Sequence, residues 1–260
     1  IDICKKTCIP QLTFTGGEPT LRDDLVELVD YSKWFVTRLN TNGVLLTNDL
    51  CQKLYDASLD SVQVTLYSDN PKIHNELVGA DNFDKTVQGI KNALKAGLNV
   101  SINTPLCTIN KNYVSTLKFA KELGITYVTC SGLIVTGNAK EKKSKNTQLS
   151  ENELFDILKK AKKYTDNNLM ELGFTSPGWI SEEKLRELEI DVPSCGACLS
   201  NMAIAPNGNV VPCQSWLNES SSLGNILTTK WEKIWNNPKC KKQREFARKM
   251  DYTCPLKGGK

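Results

Sequence analysis

Cysteines are unusually dense in the last quarter of this 260-residue sequence, which holds five of the ten: Cys195, Cys198, Cys213, Cys240 and Cys254. The first two form a CxxC pair on one tight turn. Asn207-Gly208 is the strongest short hairpin signal in the sequence, and it places Cys213 at the end of a hairpin. Convergent thiolates of this kind suit four-coordinate sulfur ligation. Taken alone, CxxC also fits zinc or redox chemistry.

The other cysteines are scattered through the first half and are interpreted as structural. Cys51 lies in a helix pattern, while Cys107 and Cys130 lie near strand ends, where small buried hydrophobic residues are common. Cys4 and Cys8 are interpreted as helix or loop cysteines. No export signal is visible and there is one histidine, so we expect a cytoplasmic protein with reduced thiols rather than a disulfide framework.

A second chemical signal is the run Thr15-Gly16-Gly17-Glu18-Pro19, where an apolar strand breaks ahead of a helix. The glycines let a ligand approach the backbone closely, and the proline fixes the turn. Glu18 offers its carboxylate or exposed carbonyls to a positive amino group. Two glycines alone would fit a plain strand-to-helix turn equally well, so the prediction of a binding site depends on the whole string.

The elements that must position these groups are short β-rich runs alternating with amphipathic helical stretches. We predict strands over Gln11–Thr15, Phe35–Asn40, Ser61–Tyr67, Leu98–Pro105 and Tyr127–Val135. Thr47 and Asn48 are predicted to cap one intervening helix, and Gly97 and Gly124 to end two others. Parallel strands joined in this way form a doubly wound sheet or a barrel, with ligands at their carboxyl ends.

Beyond the fifth strand the pattern changes. The basic run Lys140–Lys145 is interpreted as a solvated loop, since no aromatic residues are interleaved in it. A helix follows, and Ser150 with Glu153 predicts a capping box at its start. Residues 174–179 look irregular, and a short helix near 182–188 leads into the cysteine-rich tail.

The string Gly16–Pro19 resembles the GGEP motif of radical S-adenosylmethionine (SAM) enzymes, which holds the amino group of SAM at the tip of the second barrel strand. The resemblance extends over nearly the whole chain. It implies an α/β fold, a partial (β/α)6 radical SAM barrel lacking its first strand, with a small C-terminal hairpin and helix extension of SPASM or twitch type. The implied parts are a partial barrel with strands 2 to 6 at 1–147, linker helices at 148–192 and an auxiliary-cluster domain at 193–260.

The resemblance also assigns residues to SAM. The run 39–43 is similar to the TNG end of the family's third strand, and 63–68 is similar to its fourth, where a hydroxyl commonly meets the ribose or carboxylate. On the next two strands, Asn103 and Leu133 align with positions that contact the ribose and adenine. The implied SAM site consists of Thr15, Gly16, Gly17, Glu18, Pro19, Asn40, Asn42, Thr65, Ser68, Asn103 and Leu133.

His74-Asn75 resembles the histidine-aspartate pair that follows the fourth strand in many relatives. Val78 stands where an arginine is expected nearby, which leaves the clamp on the SAM carboxylate open. We interpret His74 as a structural or capping residue.

The tail resembles the first hairpin of the SPASM or twitch extension, in which a glycine precedes a cysteine as Gly208 precedes Cys213. Segments 222–226 and 231–235 are similar to its second strand and short helix. The resemblance assigns Cys195, Cys198, Cys213 and Cys254 to one auxiliary [4Fe-4S] cluster, with Cys240 as an alternative distal ligand. A second such cluster has no obvious ligand set, so a twitch-like single cluster fits better.

The hallmark CxxxCxxC triplet of these enzymes is not in the sequence. Cys4 and Cys8 supply its first spacing, but Gln11 stands where the third thiolate belongs. Residues 1–7 look like the closing turns of a helix. We therefore expect the first strand, and the ligands of the catalytic [4Fe-4S] cluster, to lie upstream of residue 1.

The resemblance implies an enzyme that cleaves SAM to a 5′-deoxyadenosyl radical, which abstracts hydrogen from a substrate. We favour a peptide or protein substrate, modified by thioether or carbon–carbon crosslinking, epimerisation or sulfatase maturation, with ferredoxin or flavodoxin as the electron donor. One alternative is a non-catalytic peptide- or metal-binding module derived from the fold, which the missing triplet supports. The other is a zinc-binding α/β protein.

Composition excludes some other classes. The net charge is only +4, from 33 basic and 29 acidic residues, and no basic helix face is evident, so we expect no nucleic-acid partner. No apolar stretch approaches the roughly 18 residues that a membrane span needs. We therefore expect no membrane association.

Overall fold

The structure is a computed structural model that describes residues 1–134, 147–216, 219–249 and 254–257. The basic run Lys140–Lys145 lies outside the described residues, and so does the end of the predicted fifth strand.

Parallel strands alternate with helices through most of the chain. Helices α1 to α10 span Asp2–Lys6, Leu25–Tyr31, Asn48–Asp56, Pro71–Val78, Phe83–Lys95, Tyr113–Glu122, Glu151–Asn167, Glu182–Glu187, Trp231–Trp235 and Pro238–Arg248. Strands β1 to β9 span Gln11–Phe14, Val36–Thr41, Ser61–Thr65, Asn99–Leu106, Tyr127–Gly132, Glu171–Phe174, Ala203–Ile204, Asn209–Val211 and Gly224–Asn225.

Strands β1 to β6 form one parallel sheet in which spatial order equals chain order. A doubly wound sheet reverses its strand order near the middle, whereas a barrel adds each strand beside the last. The five predicted strands are confirmed, with small differences at their ends. In the described part of the chain, β1 and β6 are edge strands that do not pair with each other, so the barrel is open.

Burial alternates along the central strands. In β2, Thr37, Leu39 and Thr41 are buried, while the residues between them are exposed or half-buried, and β3 repeats this pattern. Alternation at period two means that one face of the sheet packs against the core and the other stays open. The open face is polar, and it meets the carboxyl ends of the strands where ligands are expected.

Strand β6 was not predicted from the sequence. It lies within 148–192, interpreted above as linker helices, and it pairs in parallel with β5 from Tyr127↔Glu171 to Cys130↔Phe174. The segment Glu-Leu-Gly-Phe is short, contains a glycine and has no β-branched residue, so its composition gives little strand signal. The parallel sheet therefore extends past residue 147.

The predicted helix caps are confirmed. The Thr47 hydroxyl accepts a hydrogen bond from the Leu50 amide at the start of α3, and Ser150 with Glu153 forms both bonds of a capping box at α7. These caps fix where α3 and α7 begin. They thereby define the end of the loop that follows β2 and the start of the helix that precedes β6.

A close contact joins the end of β5 to the loop after β6. Trp179 is buried against Gly132, where an added Cβ would stand 2.1 Å from the Trp179 Cδ1 atom. No real Cβ tolerates such a distance, so Gly132→Ala must displace the indole. We expect a loss of about 2 kcal/mol in the free energy of unfolding, measured by urea denaturation.

Trp179→Ala provides the matched test of that contact. Alone it should cost about 3–5 kcal/mol. In the double variant the added methyl group finds space, so the combined loss should be smaller than the sum of the single losses. Strict additivity, or a Gly132→Ala protein with unchanged stability, would show that the contact is absent.

The tail has a small core of its own. Strands β7, β8 and β9 form an antiparallel sheet, which confirms the predicted hairpin and the strand after it. Its core comprises Cys198, Val210, Leu223, Ile234 and Cys240. Helix α9 confirms the predicted short helix, while α10 was not predicted.

The last described segment, 254–257, docks against the loop that follows β6. The Cys254 amide donates to the Pro177 carbonyl at 2.9 Å, and the Lys257 ammonium group donates to the Gly178 carbonyl. Cys254 also packs against the core of the large sheet. The cysteine-rich tail is therefore tied to the carboxyl edge of that sheet. None of the helices described here combines the length and the apolar character that crossing a bilayer would require.

Candidate functional site

The glycine loop follows directly from the carboxyl end of β1. Gly16 and Gly17 are exposed, and a Cβ at either position would meet no atom within 4 Å. Gly16 has φ of 143°, a conformation that side-chain-bearing residues rarely adopt. Within the described residues, neither glycine carbonyl accepts a hydrogen bond. The loop thus presents open backbone to a ligand.

Glu18 fastens this loop to the end of β2. Its Oε1 atom accepts hydrogen bonds from the Thr20 amide, the Thr20 hydroxyl and, at 2.6 Å, the Thr41 hydroxyl. Its Oε2 atom accepts one from the Asn42 amide at 2.8 Å. The two motifs that the sequence separates by more than twenty residues are therefore held together by one carboxylate.

These bonds bear on the two roles considered for Glu18. An ionised carboxylate has about four lone-pair sites, two on each oxygen, and the chain places three donors on Oε1 and one on Oε2. The Glu18 side chain thus positions the loop, and the glycine carbonyls, together with one site on Oε2, remain as acceptors for an amino group.

Asn42 and Asn40 differ in their surroundings. The Asn42 side chain accepts from the Val44 amide, and its carbonyl accepts from the Thr86 hydroxyl, so this residue shapes the loop after β2. Asn40 lies on the open face of β2 and makes no side-chain hydrogen bond within the described residues. Thr41, absent from the predicted site, is buried and carries the bond to Glu18. Its place inside the TNG motif was the available signal.

A row of polar side chains crosses the open face at mid-sheet. The Gln63 amide donates to the Thr129 hydroxyl at 3.3 Å, and that hydroxyl donates to the Asn103 side-chain oxygen at 3.0 Å. Thr65 lies beside Asn103 in the strand register. Asn103 and Thr65 were predicted. Gln63 and Thr129 were missed, although their positions on β3 and β5 match the alternation of the open face.

Ser68 and Leu133, two further predicted SAM residues, are engaged locally. The Ser68 hydroxyl is buried and accepts from the Asn70 amide, within the turn that leads into α4. The Leu133 carbonyl accepts from the Gln148 side chain at 2.9 Å. Both lie after carboxyl ends of strands, but they shape loops rather than present free polar groups.

His74 supports the loop after β3, as interpreted from the sequence. It is 1% exposed, its Nδ1 atom accepts from the Tyr67 amide at 3.3 Å, and its ring lies edge-on to Phe83. Burial lowers the pKa of His74, so the ring stays neutral and keeps this acceptor. The Asn75 side-chain oxygen, within α4, accepts from the Asn82 and Phe83 amides at the start of α5.

The thiols of the five tail cysteines share one region. The Cys213 thiol is close enough to those of Cys195 and Cys254 for their charges to raise its pKa, and Cys240 and Cys213 act in the same way on Cys198. All five are free of disulfides. The four predicted ligands thus lie in one part of the tail, with Cys240 beside Cys198.

Burial is the main influence on these thiols. It raises the pKa of Cys198 to about 12, with the neighbouring Cys240 adding to the effect and Arg244 opposing it. Burial also raises the pKa of Cys213 and of Cys254. Metal ligation needs thiolates, so loading this site must release protons.

Within the described ranges, no three histidine, cysteine or acidic side chains stand close enough together to hold one metal ion. A four-iron cluster makes a different demand, because each iron takes its own thiolate and the four sulfurs stand apart around it. Free, partly desolvated thiols in one region, with no carboxylate or imidazole among them in the described part of the tail, fit that demand.

Comparison with known families agrees with this geometry. The model of the Radical SAM superfamily matches residues 1–120, which include the glycine loop, and the SPASM model, described as an iron-sulfur cluster-binding domain, matches residues 195–256. The part of the chain that carries the glycine loop thus belongs to the radical SAM superfamily. Within it, the cysteine-rich tail places the chain among members that carry a SPASM-type segment.

The curated proteins with similar sequences are named as GTP cyclases. A "Probable GTP 3′,8-cyclase" of Sulfurisphaera tokodaii is 38% identical over 122 residues, 45% of this chain and 39% of that protein. A protein of the same name from Saccharolobus islandicus is 36% identical over 132 residues, 48% of this chain and 42% of that one. The matches thus span about two fifths of these curated relatives.

Solved structures show the same fold over nearly the whole chain. Streptococcus suis SuiB bound to precursor peptide SuiA has a TM-score of 0.77 at 19% identity, covering 94% of this chain and 58% of that one. The anSMEcpe enzyme with bound AdoMet has a TM-score of 0.68 at 19% identity, covering 93% and 66%. The fold is therefore a partial radical SAM barrel with its small C-terminal extension.

Proposed function

We propose that the full-length protein is a radical SAM enzyme that modifies a peptide. When bound, SAM and its reducing cluster supply a 5′-deoxyadenosyl radical for hydrogen abstraction. The Gly16 and Gly17 carbonyls accept hydrogen bonds from the SAM amino group, and Glu18 holds them in place. The open polar face holds the substrate and excludes water. Cys195, Cys198, Cys213 and Cys254 bind an auxiliary [4Fe-4S] cluster.

The observation that carries this proposal is that the glycine loop and the cysteine-rich tail both lie at the carboxyl edge of the parallel sheet. The glycine loop follows the carboxyl end of β1, and the segment with Cys254 docks on the loop after β6, at the same edge. Parallel strands present their carboxyl ends together, so the SAM loop and the auxiliary thiols border a shared reaction space. An auxiliary cluster there can accept an electron from the product or bind substrate.

A peptide substrate is supported by the character of the open face. Across strands β1 to β6, the residues include a single cation, Arg38, and the central row of Gln63, Asn103 and Thr129 is uncharged. Uncharged donors and acceptors suit peptide amides, while a triphosphate is held by clustered arginine and lysine. The likeness to peptide-bound SuiB, which covers both parts of the chain, points the same way.

A nucleotide substrate is the second candidate, because the curated relatives above are named as GTP cyclases. An isotope-transfer experiment separates the two. Full-length anaerobic protein receives SAM, dithionite and one of two deuterated probes, which are a small-peptide fraction from cells of the same organism grown in deuterium-labelled medium and deuterated GTP. Deuterium in 5′-deoxyadenosine is then measured by mass spectrometry.

We expect deuterium transfer from the peptide fraction, and its loss after that fraction is digested with protease. Transfer from GTP instead would replace the peptide proposal with the nucleotide one. Absence of 5′-deoxyadenosine under all conditions would favour a non-catalytic module. The full-length protein is required, since this sequence contains no CxxxCxxC triplet. Ferredoxin or flavodoxin is the proposed physiological reductant in place of dithionite, and the cytoplasm the proposed site of the reaction.

A further inference from the structure

One arginine contacts two of the tail cysteines. Arg244, on α10, is half-buried, and its Nη2 atom donates to the Cys240 sulfur at 3.2 Å. Its Nε atom donates to the Cys198 carbonyl at 3.0 Å. Arg244 therefore touches the backbone of one proposed cluster ligand and the sulfur of the cysteine beside it.

The guanidinium group is fixed in place on its other side. It lies 3.5 Å above the Trp235 ring, and its Nη2 atom also donates to the Trp235 carbonyl at 3.0 Å. Stacking and forked donation together use the planar shape that distinguishes arginine from lysine. The charge is thus held in one position, since leaving it would break three hydrogen bonds and the stacking contact.

Among the described residues, no carboxylate neutralises this charge. Within the described residues, Arg244 forms no salt bridge, and the nearby contacts are sulfur, carbonyl oxygen and indole. Cys198 and Cys240 are both fully buried, so water screens the charge weakly at that side. A cation that forms no salt bridge in the described residues can stabilise negative charge beside it. It would do so once the neighbouring Cys198 thiolate binds a negatively charged cluster.

We propose that Arg244 is a positioning residue for the auxiliary cluster, which orients Cys198 through its carbonyl and raises the cluster's reduction potential. The proposal rests on the assignment of Cys198 as a cluster ligand. Reduction adds one negative charge to the cluster, which a cation held beside the Cys198 ligand stabilises. The proposal assigns the tuning to Arg244 because, in the described part of the chain, its charged side chain contacts both Cys198 and Cys240.

The test uses full-length anaerobic protein with Arg244→Gln, Arg244→Lys and the control Lys241→Gln. Lys241 lies on the same helix but is exposed, and its side chain contacts neither thiol. The midpoint potential of the auxiliary cluster is measured by redox titration followed by electron paramagnetic resonance, together with iron and sulfide content and the melting temperature.

For Arg244→Gln we expect the equilibrium constant for one-electron reduction of the cluster to fall by at least tenfold. This corresponds to a shift of its midpoint potential by about 59 mV to a more negative value. Arg244→Lys keeps the charge without the planar fork and should shift the potential less, and Lys241→Gln should leave it unchanged. If Arg244→Gln protein does not bind the cluster, the midpoint potential of Arg244→Lys protein is the test, and a value equal to that of wild type overturns the proposal. An Arg244→Gln protein with full iron content and a wild-type potential overturns it as well.

The same samples separate this proposal from the proposed function. SAM cleavage driven by dithionite should be equal in wild type and Arg244→Gln, because the arginine acts on the auxiliary cluster alone. A wild type that cleaves SAM, with variants that keep its potential, overturns only the role of Arg244. A wild type without SAM cleavage overturns the proposed function, while the potential shift is still measured on the auxiliary cluster. A wild type that contains no iron overturns both.

Discussion

Replacement of Cys213 by alanine is expected to abolish product formation while SAM cleavage continues. Cys213 is central among the four proposed ligands, because it lies close enough to the other three for charge on one thiol to affect the pKa of another. Removing one thiolate of a four-thiolate set leaves one iron without its protein ligand. We expect at least a hundredfold loss of product, with 5′-deoxyadenosine formation near wild type and iron content lower by one cluster.

Cys8→Ser is the matched control for this variant. Cys8 is exposed and lies far along the chain from the tail, next to α1, so its loss should change neither iron content nor product. If Cys213→Ala protein retained full product formation, the auxiliary cluster would have no part in the reaction. Loss of SAM cleavage as well would mean that the tail thiols support the reducing cluster instead.

Replacement of Glu18 by glutamine should weaken SAM binding by about ten- to a hundredfold. The carboxylate accepts four hydrogen bonds, including one from the buried Thr41 hydroxyl, and an amide turns one acceptor oxygen into a donor that faces other donors. Losing hydrogen bonds to a charged group costs about 1.5–3 kcal/mol each. The glycine loop would then lose its tie to β2. The dissociation constant is measured by equilibrium dialysis with labelled SAM.

Glu27→Gln makes the same chemical change on the exposed face of α2 and should leave SAM affinity unchanged. The melting temperatures of the two variants show whether Glu18→Gln protein is folded. A folded Glu18→Gln protein with wild-type affinity would mean that SAM does not depend on this loop.

The sequence predicts the repeating part of the fold well, because strand composition, helix period and caps agree with each other there. The five strands, the Thr47 cap and the Ser150 capping box are local features that a short window contains. Strand β6 was not predicted from the sequence because its stability comes from pairing with β5 and from Trp179 packing on Gly132. Those contacts join distant segments, and no local pattern reports them.

The site divides in a similar way. Motifs identify Gly16 and Gly17 from residue type alone, since close backbone approach requires glycine. The role of Glu18 could not be decided from the sequence, because two of its partners, Thr41 and Asn42, lie at the end of β2 and depend on how the strands are aligned. Arg244 carried no motif at all. Its significance comes from α10, which was not predicted, and from the contacts with Cys198 and Trp235 that the folded tail creates.

An anaerobic crystal structure of the full-length protein with SAM is the most direct test of the central claim that the glycine loop and the tail thiols serve one reaction space. The account predicts the SAM amino group within hydrogen-bond distance of the Gly16 and Gly17 carbonyls. It also predicts a four-iron cluster bound by Cys195, Cys198, Cys213 and Cys254. SAM bound away from that loop, or a single zinc ion among the thiols, would contradict it.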